Sequence, residues 1–189
     1  MTGGKPETIK DAVANFIVKE IPRIKVEPNY VAINELIQGL YGNAATLSTT
    51  LGGERHRYFR IIMKYMLYAT LLHTAWVTPQ DSVAGPTVPA TANLAQRKQL
   101  QDEHNKKRRI YKNVHTMDEA LKQHIIDAFY GTYVAELRHN YTGYLGFMTR
   151  DLLGHLLYLY GEISPLDIKE NDTRYNESVD TAQPIDKYF

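Results

Sequence analysis

The sequence predicts an all-α protein, a compact helical bundle of about six to seven helices. Apolar residues recur three and four positions apart over long stretches, which is the period of an amphipathic helix. No stretch alternates apolar and polar residues as a half-buried strand does. Hydrophobic residues make up 43% and charged residues 23% of the 189 residues, a balance typical of a chain that buries a core.

The chain is expected to have three parts. Residues 1–28 are predicted to form a weakly ordered N-terminal extension, because three prolines interrupt them and only 11–21 could form a helix. A helical domain is expected at 29–162. Residues 163–189 begin with a good helix start and are expected to open a second helical lobe, within which the chain stops.

The first helix of the domain is predicted to begin after Asn29, a candidate N-cap, and to end at Gly39 and Gly42. A second helical pattern covers 54–72. Lys64 lies where this span can divide into two short helices, so one or two helices are possible there.

Residues 78–91 are predicted to form a long surface loop, because they contain three prolines and one glycine in fourteen residues. Thr91 or Asn93 is then expected to cap a long polar helix that ends near Asn113.

A capping box is predicted next, with Thr116 as N-cap and Glu119 three residues later. It would open the most amphipathic helix of the chain, which is expected to run to Leu137. Thr149 is a candidate cap for the following helix, and Gly161 is its expected stop.

Charge and cysteine content exclude several classes of protein. The net charge is +1, from 22 basic and 21 acidic residues, so contact with nucleic acid needs a local patch. The absence of cysteine excludes disulfides and thiolate zinc sites, including the zinc knuckle. We find neither a signal peptide nor an apolar stretch able to span a bilayer, and therefore expect a cytoplasmic protein without membrane contact.

The catalytic inventory is empty, so we predict that the chain is not an enzyme. None of the seven histidines stands in a metal-binding spacing, and His155 is expected on a helix flank. The glycine pair at 52–53 lacks the Lys-Ser/Thr of a phosphate loop. The acidic pairs at 102–103 and 118–119 are interpreted as solvated or first-turn helix charges. No catalytic residue, metal, cofactor or small-molecule substrate is expected.

One basic cluster is the candidate nucleic-acid site. It could track the phosphates of RNA, or it could simply be a solvated helix face, since consecutive cations wrap around a helix. Its residues are Arg97, Lys98, Lys106, Lys107, Arg108, Arg109 and Lys112.

The segment 55–60 mixes cations with aromatic residues. Its rings could stack on RNA bases, but burial of Tyr58 and Phe59 with the cations outside is the favoured interpretation.

The order of these elements resembles the Gag polyprotein of copia-type long-terminal-repeat retrotransposons. Residues 68–76 and the loop after them resemble the short helix that precedes the variable stretch of the family. The helices at 101–137 and 149–160 resemble its next two blocks, with Leu153 where the family usually has Trp. The family-motif core residues are Trp76, Leu121, Ile125, Leu137, Leu153, Leu156 and Tyr160.

From about residue 39 onward, the chain is also similar to uncharacterised Gag-like proteins of diatoms and related protists. The resemblance implies a retroviral-capsid-like N-terminal lobe that self-assembles as a structural protein and packages the RNA of the element. The expected partners are further copies of the chain and RNA bound through the basic helix. The alternative is a stand-alone helical module of the host cell that binds protein or RNA, a domesticated Gag.

Overall fold

The protein is built from α-helices, as its sequence predicts. The computed structural model describes residues 9–18, 23–47, 49, 51, 57–73, 76–81, 84–129, 131–162 and 169. The helices are α1 (Ile9–Ala14), α2 (Tyr30–Thr46), α3 (Phe59–Ile62), α4 (Tyr65–Leu72), α5 (Leu94–Ala128) and α6 (Thr149–Tyr160), with a 3₁₀ helix at Gly131–Leu137. Among the described residues, extended pairing is limited to two isolated bridges.

The C-terminal half of α5 lies at the centre of the core. Met117, Leu121 and Ile125 recur every four residues and are fully buried. Helices α1, α2 and α6 all pack against α5. Each large apolar side chain buried in this way contributes about 1.5–3 kcal/mol relative to exposure. The largest other fully buried side chains include Phe16, Ile33, Leu36, Leu40, Tyr58, Ile61, Tyr68, Phe129 and Leu152.

Helix α5 is one helix of 35 residues, where the sequence predicted two. Asn93 caps it as one of the two predicted candidates, and its side chain and that of Gln96 exchange hydrogen bonds of 2.9 Å with each other's backbone N–H. The predicted break at Thr116 is wrong, because no glycine or proline interrupts residues 94–128 and Thr116 is buried within the helix.

The same helix ends earlier than predicted. It stops at Ala128, and the expected continuation to Leu137 is instead a 3₁₀ helix. Phe129 takes an extended backbone conformation. The N–H of Ile24 donates to the carbonyl of Ala128 at 2.8 Å, so pairing with a distant segment replaces the next helical turn.

Helix α2 continues through both glycines that were predicted to end it. It runs to Thr46 because Leu36, Leu40 and Ala44 are buried at helical spacing. Their burial outweighs the cost of about 1 kcal/mol for each glycine in a helix interior. Asn29 caps α2 as predicted, and its side chain accepts from the N–H of Ala32 at 2.9 Å.

Residues 9–18 belong to the same core, which differs from the expectation of a weakly ordered extension over 1–28. Ala12 and Phe16 are buried. The buried side chain of Asn43 binds the backbone of Val18 twice, accepting from its N–H and donating to its carbonyl, both at 2.9 Å. These contacts attach the N-terminal segment to α2, a pairing that composition cannot reveal. The domain boundaries themselves stay a prediction.

The remaining connections follow the sequence more closely. The pattern at 54–72 divides at Lys64, which occupies the N-cap position of α4 without a side-chain capping hydrogen bond. The described residues between 76 and 93 contain no helix. Helix α6 ends at Tyr160, directly before Gly161, but Met148 rather than Thr149 is its N-cap. The second lobe predicted at 163–189 lies outside the described residues, apart from Lys169.

Candidate nucleic-acid interface

Helix α5 has a core half and a solvated half. Its first sixteen residues, 94–109, are exposed except for half-buried Leu100 and buried His104. The core half begins at Asn113, from which most side chains are buried. All seven basic residues predicted from the sequence lie between 97 and 112 on this helix, and all of them are exposed. The solvated half of α5 therefore carries the candidate site.

Three of the seven cations lie close together on one face of α5. An α-helix turns about 100° per residue, so side chains three, four and seven positions apart lie above one another. Asn105, Arg108 and Lys112 have this spacing, and Arg109 lies beside them. Lys98, seven residues before Asn105, has the same angle but lies two turns nearer to the start of the helix, and Lys106 and Lys107 lie at other angles. We call Arg108, Arg109 and Lys112 the cationic face.

The cationic face opens into a cavity of about 520 Å³, a volume within the usual range of ligand sites. The described residues that line it carry three permanent positive charges and one carboxylate, that of Asp81 in the 78–91 loop. They are Asp81, Asn105, Arg108, Arg109, Tyr111, Lys112, Asn113 and His115.

Two aromatic rings are among the groups that line this cavity. The rings of Tyr111 and His115 are one helical turn apart, with centroids separated by 6.1 Å and planes within 5° of parallel. His115 is exposed and Tyr111 is half-buried. Cations interleaved with accessible aromatic faces are typical of surfaces that bind single-stranded nucleic acid.

The described residues of the predicted surface loop lie alongside α5, in the opposite direction to the helix. Its start shares a small cavity with the core half of the helix, and its end shares another with the first turns. Thr78 and Pro79 line the first cavity with Tyr111, Val114 and His115. Pro89, Thr91 and Ala92 line the second with Gln96, Leu100 and Glu103. This path places Asp81 opposite the cationic face.

Arg97, Lys98 and Lys106 lie nearer to the start of α5 or at another angle, and each has a local partner or an acidic neighbour. Arg97 donates from Nε to the carbonyl of Ala92 at 3.0 Å, which fixes the start of the helix. Lys98 and Lys106 stand four residues before and after Asp102, and all three line one shallow depression. Charges of opposite sign at this spacing attract each other weakly. This side of α5 is closer to electrical balance than the cationic face.

One cluster of buried charged side chains was not predicted from the sequence. Asp118 is 4% and Lys122 3% exposed. The ammonium of Lys122 lies 3.4 Å from Asp118 Oδ2, donates to Phe147 O at 2.8 Å and contacts the Glu119 carboxylate. The Thr149 N–H donates to Asp118 Oδ1 at 2.9 Å. Asp118 was interpreted as a solvated or first-turn charge, and that interpretation is wrong.

Burial raises the pKa of Asp118, while the hydrogen bond from the Thr149 backbone and the charge of Lys122 act in the opposite direction. The cluster joins α5 to the start of α6, because Thr149 also donates its hydroxyl hydrogen to the carbonyl of Asp118 at 3.0 Å. In the sequence, the signal that could have revealed this cluster is the spacing of four residues between Asp118 and Lys122. The pair is buried only because α6 packs over it.

The histidines do not assemble a metal site within the described part of the chain, where no three His, Asp or Glu side chains cluster for an ion. His124 is buried and packs edge-on against Phe16, with ring centroids 4.9 Å apart. Burial lowers its pKa, and nearby Asp127 opposes the shift. His155 is half-buried on α6, as expected for a helix flank.

The segment around Tyr58 departs in part from expectation. Tyr58 is buried and Phe59 half-buried, as the favoured interpretation has it. However, Arg60 is also buried, and its guanidinium donates to the carbonyl of Met63 at 2.6 Å. The expectation that every cation of this segment lies outside is therefore wrong for Arg60. Residues 52–56 lie outside the described residues, and with them the glycine pair.

The family-motif residues all contribute to packing. Five are buried, and the other two, Leu137 and Tyr160, are half-buried. The buried five are Trp76, Leu121, Ile125, Leu153 and Leu156. Trp76 meets Tyr68 edge-on at 6.0 Å, and Tyr160 meets Tyr133 edge-on at 5.5 Å.

No protein-family model, curated protein or solved structure matches the chain. In the described part of the protein, no helix combines the length and the apolar character needed to cross a bilayer.

Proposed function

We propose that this chain is the structural self-assembly domain of a retrotransposon Gag-like protein, which forms a particle around the RNA of the element. The observation that carries the proposal is the cationic face of α5, which lies beside the Tyr111 and His115 rings. The Gag-like part of the proposal rests on the sequence blocks at 68–76, 101–137 and 149–160. Such a role requires binding surfaces and no active site.

RNA binding at this face would be electrostatic in origin. A cation that neutralises a phosphate releases a counterion, so affinity falls with salt by a slope of about 0.7 per contact on a single strand. The net charge of +1 provides no general attraction, and a localised group of cations is therefore needed.

An exposed apolar surface supports the assembly part of the proposal. Met66 is 74% and Val77 78% exposed, and Leu67 and Leu71 on α4 are also exposed. Exposed apolar side chains that lie this close along the chain are candidates for contacts between protein subunits. Helix α4 contributes the buried Tyr68 to the core, which leaves its other side available.

Electron microscopy of the full chain at increasing concentration, with and without RNA, tests the proposal. We expect particles that depend on concentration and RNA. The double variant Met66→Ser, Leu71→Ser should reduce their number, whereas Leu94→Ser, which changes an 85% exposed leucine on α5, should leave it unchanged. A chain that stays monomeric at all concentrations in the presence of RNA contradicts the proposal.

The alternative is a stand-alone helical module of the host cell that binds protein or RNA. The near-neutral net charge favours it, because packaging a long RNA usually demands a larger excess of cations. Stoichiometric RNA binding by a chain that remains monomeric would support this alternative over the first proposal.

A further inference from the structure

The cavity beside the cationic face is better suited to one nucleotide than to a duplex surface. Its volume of about 520 Å³ is that of a small-ligand site. Its lining is chemically mixed, because α5 contributes the cations Arg108 and Lys112 and the ring of His115, and the loop contributes Asp81. A surface that binds only phosphates needs only cations. The rings and the carboxylate therefore indicate a ligand that also has an aromatic ring and hydrogen-bond donors.

We propose that this cavity holds one unpaired nucleotide of single-stranded RNA. The guanidinium of Arg108 and the ammonium of Lys112 bind its phosphate, and the base stacks on the rings of Tyr111 and His115. The inference rests on the RNA-binding part of the proposed function and names the form of RNA that the site takes.

The aromatic rings explain why the strand must be unpaired. A base in a duplex has its faces covered by its neighbours, so its stacking surface is not available to a side chain. The rings of Tyr111 and His115 are nearly parallel, and both line the cavity. An extruded or unpaired base can meet a ring face while its own phosphate reaches the adjacent cationic side chains.

Asp81 gives the site a preference among bases. An ionised carboxylate only accepts hydrogen bonds. It can accept from the amino groups of cytosine and adenine, and carboxylates pair in this way with the cytosine amino group. Uracil presents a carbonyl oxygen where cytosine has its amino group, and a carboxylate repels that oxygen. The cavity should therefore prefer cytidine to uridine, two pyrimidines of similar stacking area.

Fluorescence anisotropy with labelled short oligonucleotides tests the inference on the full chain. We expect oligocytidylate to bind about tenfold more tightly than a duplex of the same length, the gain expected from one stacked base. His115→Ala should lower the affinity for the single strand by about tenfold and leave the salt slope unchanged. Arg108→Gln or Lys112→Gln should lower the salt slope by about 0.7.

Matched variants separate this site from general attraction by α5. Lys98→Gln and Lys106→Gln remove exposed cations that do not line the cavity, and should change the affinity less than twofold. Tyr111→Phe retains the ring and should bind as the parent does, while Tyr111→Leu should bind as weakly as His115→Ala. Asp81→Asn should reduce the ratio of the affinity for oligocytidylate to the affinity for oligouridylate, because an amide both donates and accepts hydrogen bonds.

Equal affinity for single strand and duplex, or an unchanged affinity in His115→Ala, would overturn the inference. So would losses in Lys98→Gln and Lys106→Gln as large as those in Arg108→Gln and Lys112→Gln. These failures differ from failure of the proposed function. Particles that form with RNA in a chain that binds single strand and duplex equally refute only the nucleotide site, and nucleotide binding by a chain that never assembles refutes only the particle.

Discussion

The buried contact between Lys122 and Asp118 provides a quantitative test of the structure. Lys122→Met removes the ammonium but retains most of the side-chain volume, so it opens little cavity. It leaves the Asp118 carboxylate buried without its cation, and Phe147 O without its donor at 2.8 Å. Removing one partner of a buried ion pair costs about 3–5 kcal/mol. The free energy of unfolding of a typical domain is about 5–15 kcal/mol, so this cost is a large share of it.

The cost should come mainly from the uncompensated charge, which a second substitution can remove. In the double variant Asp118→Asn, Lys122→Met, the side-chain oxygen of the introduced asparagine replaces the carboxylate oxygen that accepts from the Thr149 N–H at 2.9 Å. We expect the double variant to lie within about 1.5 kcal/mol of the parent, since neutral replacements of buried ion pairs are often tolerated. Lys106→Met, at an exposed position, should change stability by less than about 0.5 kcal/mol.

Urea unfolding followed by circular dichroism at neutral pH measures these free energies of unfolding. Acidification gives a second readout. Burial raises the pKa of Asp118 above its ordinary 3.8, so the folded state binds a proton before the unfolded state does as the pH falls. The single variant should therefore regain stability as the pH falls through this raised pKa. A cost below about 1 kcal/mol for Lys122→Met, or no recovery in the double variant, would refute the reasoning.

The core provides three further predictions. Asn43→Ala leaves the N–H and carbonyl of Val18 without their side-chain partner and should lower the free energy of unfolding by about 1–3 kcal/mol. Hydrogen exchange at the Val18 amide should become faster. An unchanged exchange rate would contradict the two hydrogen bonds between Asn43 and Val18. Leu121→Ala, in the buried face of α5, should cost about 2–5 kcal/mol in urea unfolding, whereas exposed Leu94→Ala should cost almost nothing. Burial lowers the pKa of His124 below its ordinary 6.5, so the unfolded state gains protons first and stability should fall as the pH drops from 6.5 toward the lower folded pKa. His124→Phe should remove that loss, and an equal pH dependence in this variant would place its origin elsewhere.

The sequence alone indicated the helical class and several helix ends. The apolar spacing of α2, the capping residues Asn29 and Asn93, and the division at Lys64 are local signals, and each appears at the predicted place. Other local signals have no effect in the folded chain. The Thr116 box and the two glycines of α2 have the chemistry of helix ends, but burial of the surrounding apolar residues continues both helices through them.

The basic residues of the candidate site were visible in the sequence. Which of them line the cavity, and which bind elsewhere, was not. Which cations share a face follows from the helical period alone, because the helix predicted to end near Asn113 already contains all seven. That Arg97 binds the carbonyl of Ala92, and that Asp81 lies opposite the cationic face, depends on the path of the 78–91 loop along α5. No local pattern specifies that path, since a loop without regular hydrogen bonding has no period.

What the sequence determined by itself is the helical class and where several helices begin, because these signals lie within a few residues along the chain. Only the tertiary structure decided that Asp118 and Lys122 are buried, that Asn43 holds Val18 and that residues 9–18 join the core. Each of these depends on residues 25 to 31 positions apart coming within hydrogen-bond distance. A charged or amide side chain is solvated until another element covers it, and its burial is therefore a property of the packed helices.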